Sequence, residues 1–159
     1  MPLSDAALNP FQPGAGAVGS LSQGTAKRER LHFNNFTFTR TPAGICTAEV
    51  ELEWVDGVKV MGKSVGNSSP MGDLRIAAEA GLRALEAFAG GAVVFELAGI
   101  KAIRAFDANI LIVAVGTRRG EVSTRLLGAY LAERDPIRGA VVAVLNATNR
   151  VLGNFVTTR

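Results

Sequence analysis

One stretch of this 159-residue chain has residue types and spacing suited to recognising a small anion: Gly66-Asn67-Ser68-Ser69-Pro70-Met71-Gly72-Asp73. Gly66 and Gly72 let the backbone bend, and Ser68 and Ser69 offer hydroxyls. The segment also runs into an apolar-striped helix, whose first amides lack partners and carry the positive end of the helix dipole. A small carboxylate or an amino-acid-like molecule suits such a place. The expected ligand contacts are therefore Gly66, Asn67, Ser68, Ser69, Gly72 and Asp73. Arg134 joins them from the corresponding connection in the second half of the chain, 128–135. The plainer reading of the same residues is a strand-to-helix connection that caps its helix through Asp73 or Ser69.

Elsewhere the inventory of reactive groups is thin. His32 is the only histidine, which rules out a paired-histidine metal site and the familiar Cys/His zinc spacings. Cys46 is the only cysteine, so no disulfide can form within the chain and a reducing cytoplasm is the expected compartment. It lies in a strand pattern, as a half-buried thiol would. Glu49, Glu51 and Glu53 share one strand face, which suits a solvated sheet surface better than an acid–base pair; a hard cation is the alternative occupant. There is no serine nucleophile elbow and no GxxxxGK[ST] phosphate loop. The expectation is a protein without catalytic residues, metal or cofactor.

The composition is globular, 48% hydrophobic and 19% charged, at a length that suits one domain. No apolar run approaches the roughly 20 residues that a membrane helix needs. The N-terminus lacks the basic-then-apolar order of a secretory signal. The net charge of +3 is scattered apart from Lys27-Arg28-Glu29-Arg30 and Arg118-Arg119, with no interleaved aromatics, so nucleic acid is not an expected partner. Residues 1–30 read as an arm: three of the six prolines fall within the first 26 residues and no Lys or Arg precedes Lys27. Either this arm has little structure of its own or it straps onto a partner. In the second case Phe11, within Asn9-Pro10-Phe11-Gln12-Pro13, and Lys27, Arg28 and Arg30 are its expected contacts.

The elements that must position these residues repeat at an offset of 63. Leu74, Ala77, Ala78, Gly81, Leu82 and Phe88 map onto Ile137, Ala140, Val141, Val144, Leu145 and Val151, and the turn glycine Gly57 maps onto Gly120. Residues 45–55 alternate, with Ala48, Val50, Leu52 and Trp54 on one side and Thr47 and the three glutamates on the other, which predicts a strand with one wet face. Before it, Phe33, Phe36 and Phe38 share a face only after a slip of one residue. Asp56-Gly57 suits a hairpin. A helix follows over Leu74 to Phe88, ended by Gly90-Gly91, with Glu79 and Arg83 as an i,i+4 pair.

The second unit predicts a strand over 92–105 and a turn at Asp107-Ala108-Asn109. Residues 110–115 then read as a strand apolar enough to be covered on both faces, followed by a hairpin at Arg118-Arg119-Gly120. A second helix starts at Asp135-Pro136 and is stopped by Gly153. The predicted fold is α+β: two βββα pseudo-repeats whose sheets are covered by two helices, over 31–153, with a tail at 154–159.

That plan, with Gly66-Asn67…Pro70…Asp73-Leu74 entering one helix and Leu145-Asn146-Ala147-Thr148-Asn149-Arg150-Val151-Leu152 closing the other, resembles the C-terminal regulatory domain of 2-isopropylmalate and citramalate synthases. The resemblance covers about 31–152, without the catalytic barrel that accompanies the domain there. It implies a dimerisation and feedback module that binds an end-product amino acid near a subunit interface. The expected function is thus a non-catalytic module forming a homodimer or higher homo-oligomer, taking a small anionic or amino-acid-like effector and regulating a partner. The alternative is an adaptor docking through residues 1–30 onto a larger enzyme or assembly.

Overall fold

Alternation in residues 45–55 dictates the first sheet, and a computed structural model, which describes residues 31–157, shows how. Cys46, Ala48, Val50 and Leu52 are fully buried along β2 (Ile45–Glu53), while Glu49, Glu51 and Glu53 point away from the core. Strands β1 (His32–Arg40) and β3 (Lys59–Asn67) flank β2 antiparallel. Helix α1 (Pro70–Ala89) follows, and the plan then repeats: β4 (Val94–Ala105), β5 (Ala108–Arg119), β6 (Val122–Ala132) and α2 (Pro136–Thr157). The two sheets, ordered β1-β2-β3 and β4-β5-β6, make this an α+β fold of two βββα units. No helix among the described residues is long and apolar enough to cross a membrane.

The slip in the first strand is a β-bulge. Asn34 falls between the pairs Phe33↔Leu52 and Asn35↔Glu51, which returns Phe36 and Phe38 to the core side beside Phe33. The three rings form a row with centroids 6.2 and 6.4 Å apart. The second unit repeats the bulge at Ala98, between Leu97↔Val115 and Gly99↔Ala114.

The offset of 63 holds for the central strands and the helices but not for the third strands. Gly62 pairs with Val50, and its structural counterpart Gly128 pairs with Val113. Those two glycines stand 66 apart, whereas the alanines they face, Ala80 and Ala84 on α1, and Ala143 and Ala147 on α2, stand 63 apart. The second hairpin therefore spans three more residues between these pairs, and α2 starts three positions later in the repeat, at Pro136 against Pro70, so that its facing alanines return to the offset of 63. At both glycines the helix backbone comes so close that no Cβ fits. The helices also pack on each other, with Gly81 facing Val141 and Val144. Helix α1 reaches the second sheet as well: Arg75 donates to the Leu97 carbonyl at 3.3 Å.

Several expectations need correction. Helix α1 begins at Pro70, ahead of its apolar stripe at Leu74, and of the two expected caps, Asp73 and Ser69, Ser69 serves: its hydroxyl accepts from the Gly72 amide at 2.8 Å. Glu79 pairs with Arg75, and Arg83 pairs with Glu86. The β4–β5 turn is Phe106-Asp107, both at positive φ (54° and 58°), so Ala108 and Asn109 belong to the ladder. Gly153 does not stop α2, which runs on to Thr157, so residues 154–157 of the expected tail are helical. A lone glycine costs a helix only about 1 kcal/mol. Termination needs the left-handed geometry that Gly90 adopts at the end of α1 (φ 61°, amide bonded to the Ala87 carbonyl).

Candidate functional site

The connection 66–73 closes on itself. Asp73, only 5% exposed, accepts from Ser68 Oγ at 2.8 Å and from Arg40 Nε and Nη2 at 3.1 and 2.6 Å. The buried Cys46 thiol neighbours the same carboxylate. Burial alone would push the Asp73 carboxyl up; the hydrogen bonds from Arg40 and Ser68, helped by the Arg40 charge, outweigh it and hold the group below the ordinary carboxylate range. Burial raises the Cys46 thiol, and the neighbouring carboxylate raises it further. A carboxylate held ionised beside a thiol held protonated is a poor base next to a poor nucleophile.

Two further groups of the segment are engaged, whereas the Asn67 side chain is exposed at the end of β3, where the residue pairs with Ile45. The Ser69 hydroxyl caps α1, and the Ser68 amide donates to the Gly44 carbonyl at 2.7 Å. The glycines serve close packing: a Cβ on Gly66 would lie 2.7 Å from Ile76 Cδ1, and one on Gly72 2.5 Å from Ser69 Oγ. The geometry brings Ser68 and Asp73 together and ties them to Arg40 and Cys46, which the sequence did not attach to this segment. Their link is the β1–β2 register, which pairs Arg40 with Cys46 at the strand ends nearest the connection.

Arg134 stands apart from that group. It lines a cavity of about 430 Å³ together with Tyr130, Glu133, Asp135 and Arg138, and no residue of 66–73 takes part in the lining. Asp135 caps α2 by accepting from the Arg138 amide at 3.0 Å, and the Arg138 guanidinium lies 4.5 Å over the Phe33 ring. Among the described residues, no group of three or more His, Cys, Asp or Glu is placed to hold a metal ion. Phe11, Lys27, Arg28 and Arg30, the expected contacts of the arm, lie outside the described residues.

A third surface was not singled out from the sequence, and it separates the two halves most clearly. The outer face of the first sheet is mixed, its exposed Met61 and Val65 interrupted by ion pairs: Lys59 and Lys63 pair with Glu51 and Glu49 at 3.3 and 3.0 Å, and Asn34 bonds Glu51. The outer face of the second sheet is apolar over three successive rows, Lys101 excepted. Across β4, β5 and β6 these read Ile103-Ile110-Leu131, Lys101-Ile112-Ala129 and Gly99-Ala114-Leu127. Leu127 is 72% exposed, Leu131 44% and Ile103 39%. The sequence signal was the run at 110–115, read as a strand covered on both faces; in the chain alone only its inner face, Leu111, Val113 and Val115, is fully buried. No protein-family model matches the chain, and no curated protein sequence matches it either.

Proposed function

We propose that this chain is a non-catalytic assembly module that associates with copies of itself. The carrying observation is the contrast between the two outer faces: on the first, ion-paired Lys63 separates exposed Met61 from Val65, whereas on the second exposed Leu127, Leu131 and Ile103 surround Ile110 and Ile112 with Lys101 as the one charge among them. Contiguous apolar surface of this kind marks interaction sites on soluble domains. The self-contained hydrogen bonding of Ser68, Ser69 and Asp73 supports placing function away from that connection. Regulation of a partner enzyme is the role that the resemblance to synthase regulatory domains adds. For a small anionic or amino-acid-like effector, the cavity holding Arg134 and Arg138 suits a carboxylate better than 66–73 does.

Thermal unfolding of the full chain at several concentrations tests the reading. A self-associating fold is stabilised by mass action, by about 2.7 kcal/mol for a hundredfold excess over the dissociation constant. In a dimer two chains share that gain, about 1.4 kcal/mol each, so the midpoint is expected to rise by roughly 3–5 °C between about 1 and 100 µM, given 2–4 °C per kcal/mol for a chain of this size. Superimposable transitions across that range overturn it.

A further inference from the structure

We propose that two copies of the chain stack the outer faces of their second sheets about a twofold axis parallel to β5. The proposal rests on the assembly reading and supplies its geometry. Such an axis lays β4 of one copy over β6 of the other, so each row across the sheet meets the same row reversed. Sheets packed face to face keep their strands within about 30°, which leaves each row over its counterpart.

The rows match themselves on reversal. Ile103 meets Leu131 of the second copy. Leu127, the most exposed apolar side chain of this face, meets Gly99, where nothing lies within 4 Å of the space a Cβ would fill. The stem of Lys101 meets Ala129. The next row outward is Glu96-Gly116-Arg125. Within one copy these two charges stand two strand spacings apart, roughly 10 Å, and neither makes an ion pair among the described residues. Reversal brings Glu96 of each copy onto Arg125 of the other, twice per dimer. The other in-plane twofold, perpendicular to the strands, would lay β4 on β4 and set Lys101 of one copy against Lys101 of the other. Charge and size complementarity therefore both select a second copy as occupant and the strand-parallel axis as its placement.

Sedimentation equilibrium on full-length chains tests the geometry, using the wild type, Glu96→Arg, Arg125→Glu and the double variant. Both positions are exposed, so each variant should keep the wild-type circular dichroism spectrum. The wild type is expected at twice the chain mass of 16.6 kDa. Each single variant sets like charges together at two symmetry-related places and should raise the dissociation constant at least tenfold. The double variant restores opposite charges and should return to within about threefold of wild type. A dimer indifferent to the single changes, or a double variant no tighter than the singles, overturns this geometry while leaving the assembly reading standing. A wild type that stays at 16.6 kDa overturns both.

Discussion

Gly62→Ala is expected to lower the unfolding midpoint by roughly 10 °C or to prevent folding, with Gly128→Ala close behind. A Cβ on Gly62 would lie 2.1 Å from the Ala80 carbonyl oxygen and 2.2 Å from the Ala84 nitrogen. On Gly128 the corresponding distances are 2.2 Å to the Ala143 carbonyl oxygen and 2.6 Å to the Ala147 nitrogen. These neighbours are helix backbone, which no side-chain rotation can move aside. Overpacking a core costs typically 1–3 kcal/mol, and more where a whole helix must shift, so about 3 kcal/mol or above is expected at each site. At 2–4 °C per kcal/mol that gives the stated change, read by circular dichroism on heating. Gly57→Ala is the control: a Cβ there meets nothing, and only its φ of 87° opposes alanine, at about 1–2 kcal/mol. Equal midpoints for Gly62→Ala and wild type would show that helix and sheet do not meet this closely.

Removing the Asp73 carboxylate is the second large effect. Asp73→Ala strands the hydroxyl of Ser68 and the guanidinium of Arg40. Breaking a buried ion pair costs about 3–5 kcal/mol. Because the Arg40 side chain is 52% exposed, water recovers part of this, and about 2 kcal/mol is expected at pH 7. The effect depends on pH with a defined sign. The folded chain holds Asp73 below the ordinary aspartate value of 3.8, so the unfolded chain binds the proton more readily. The stabilisation is complete above about pH 5 and drains away as acid carries the pH below 4 and through the folded value. Denaturant melts of wild type and Asp73→Asn should therefore converge below pH 4 and diverge above it. A gap that stays constant with pH would mean that the carboxylate charge is not what Arg40 holds.

Much of the fold was legible because period and punctuation agreed. The alternation at 45–55 settled which side of β2 is buried, the displaced phenylalanines foretold the bulge at Asn34, and Asp135-Pro136 marked the start of α2. Asp73 was harder to read. Its acidic type and place before an apolar stripe are those of a cap, and only the fold brings Arg40 and Cys46 to it from a different strand pair. Gly153 misled because a glycine signals a helix end only when the backbone turns left-handed there, which composition does not encode. The third strands slipped out of the 63-residue register because the longer second hairpin is balanced by a second helix that starts three positions later in the repeat, leaving the helix faces aligned. The apolar outer face was visible as the run at 110–115. Its extent across Ile103, Leu127 and Leu131 depends on strand register, which places residues of β4 and β6 beside that run.

Side-chain methyl NMR of the full chain on dilution tests most directly the claim that function sits on the outer face of the second sheet. The methyls of Ile103, Ile112, Leu127 and Leu131 are expected to shift together as concentration falls, while those of Met61 and Val65, exposed on the first sheet, stay fixed. Stationary signals from the first group, or movement centred on the second, would contradict it.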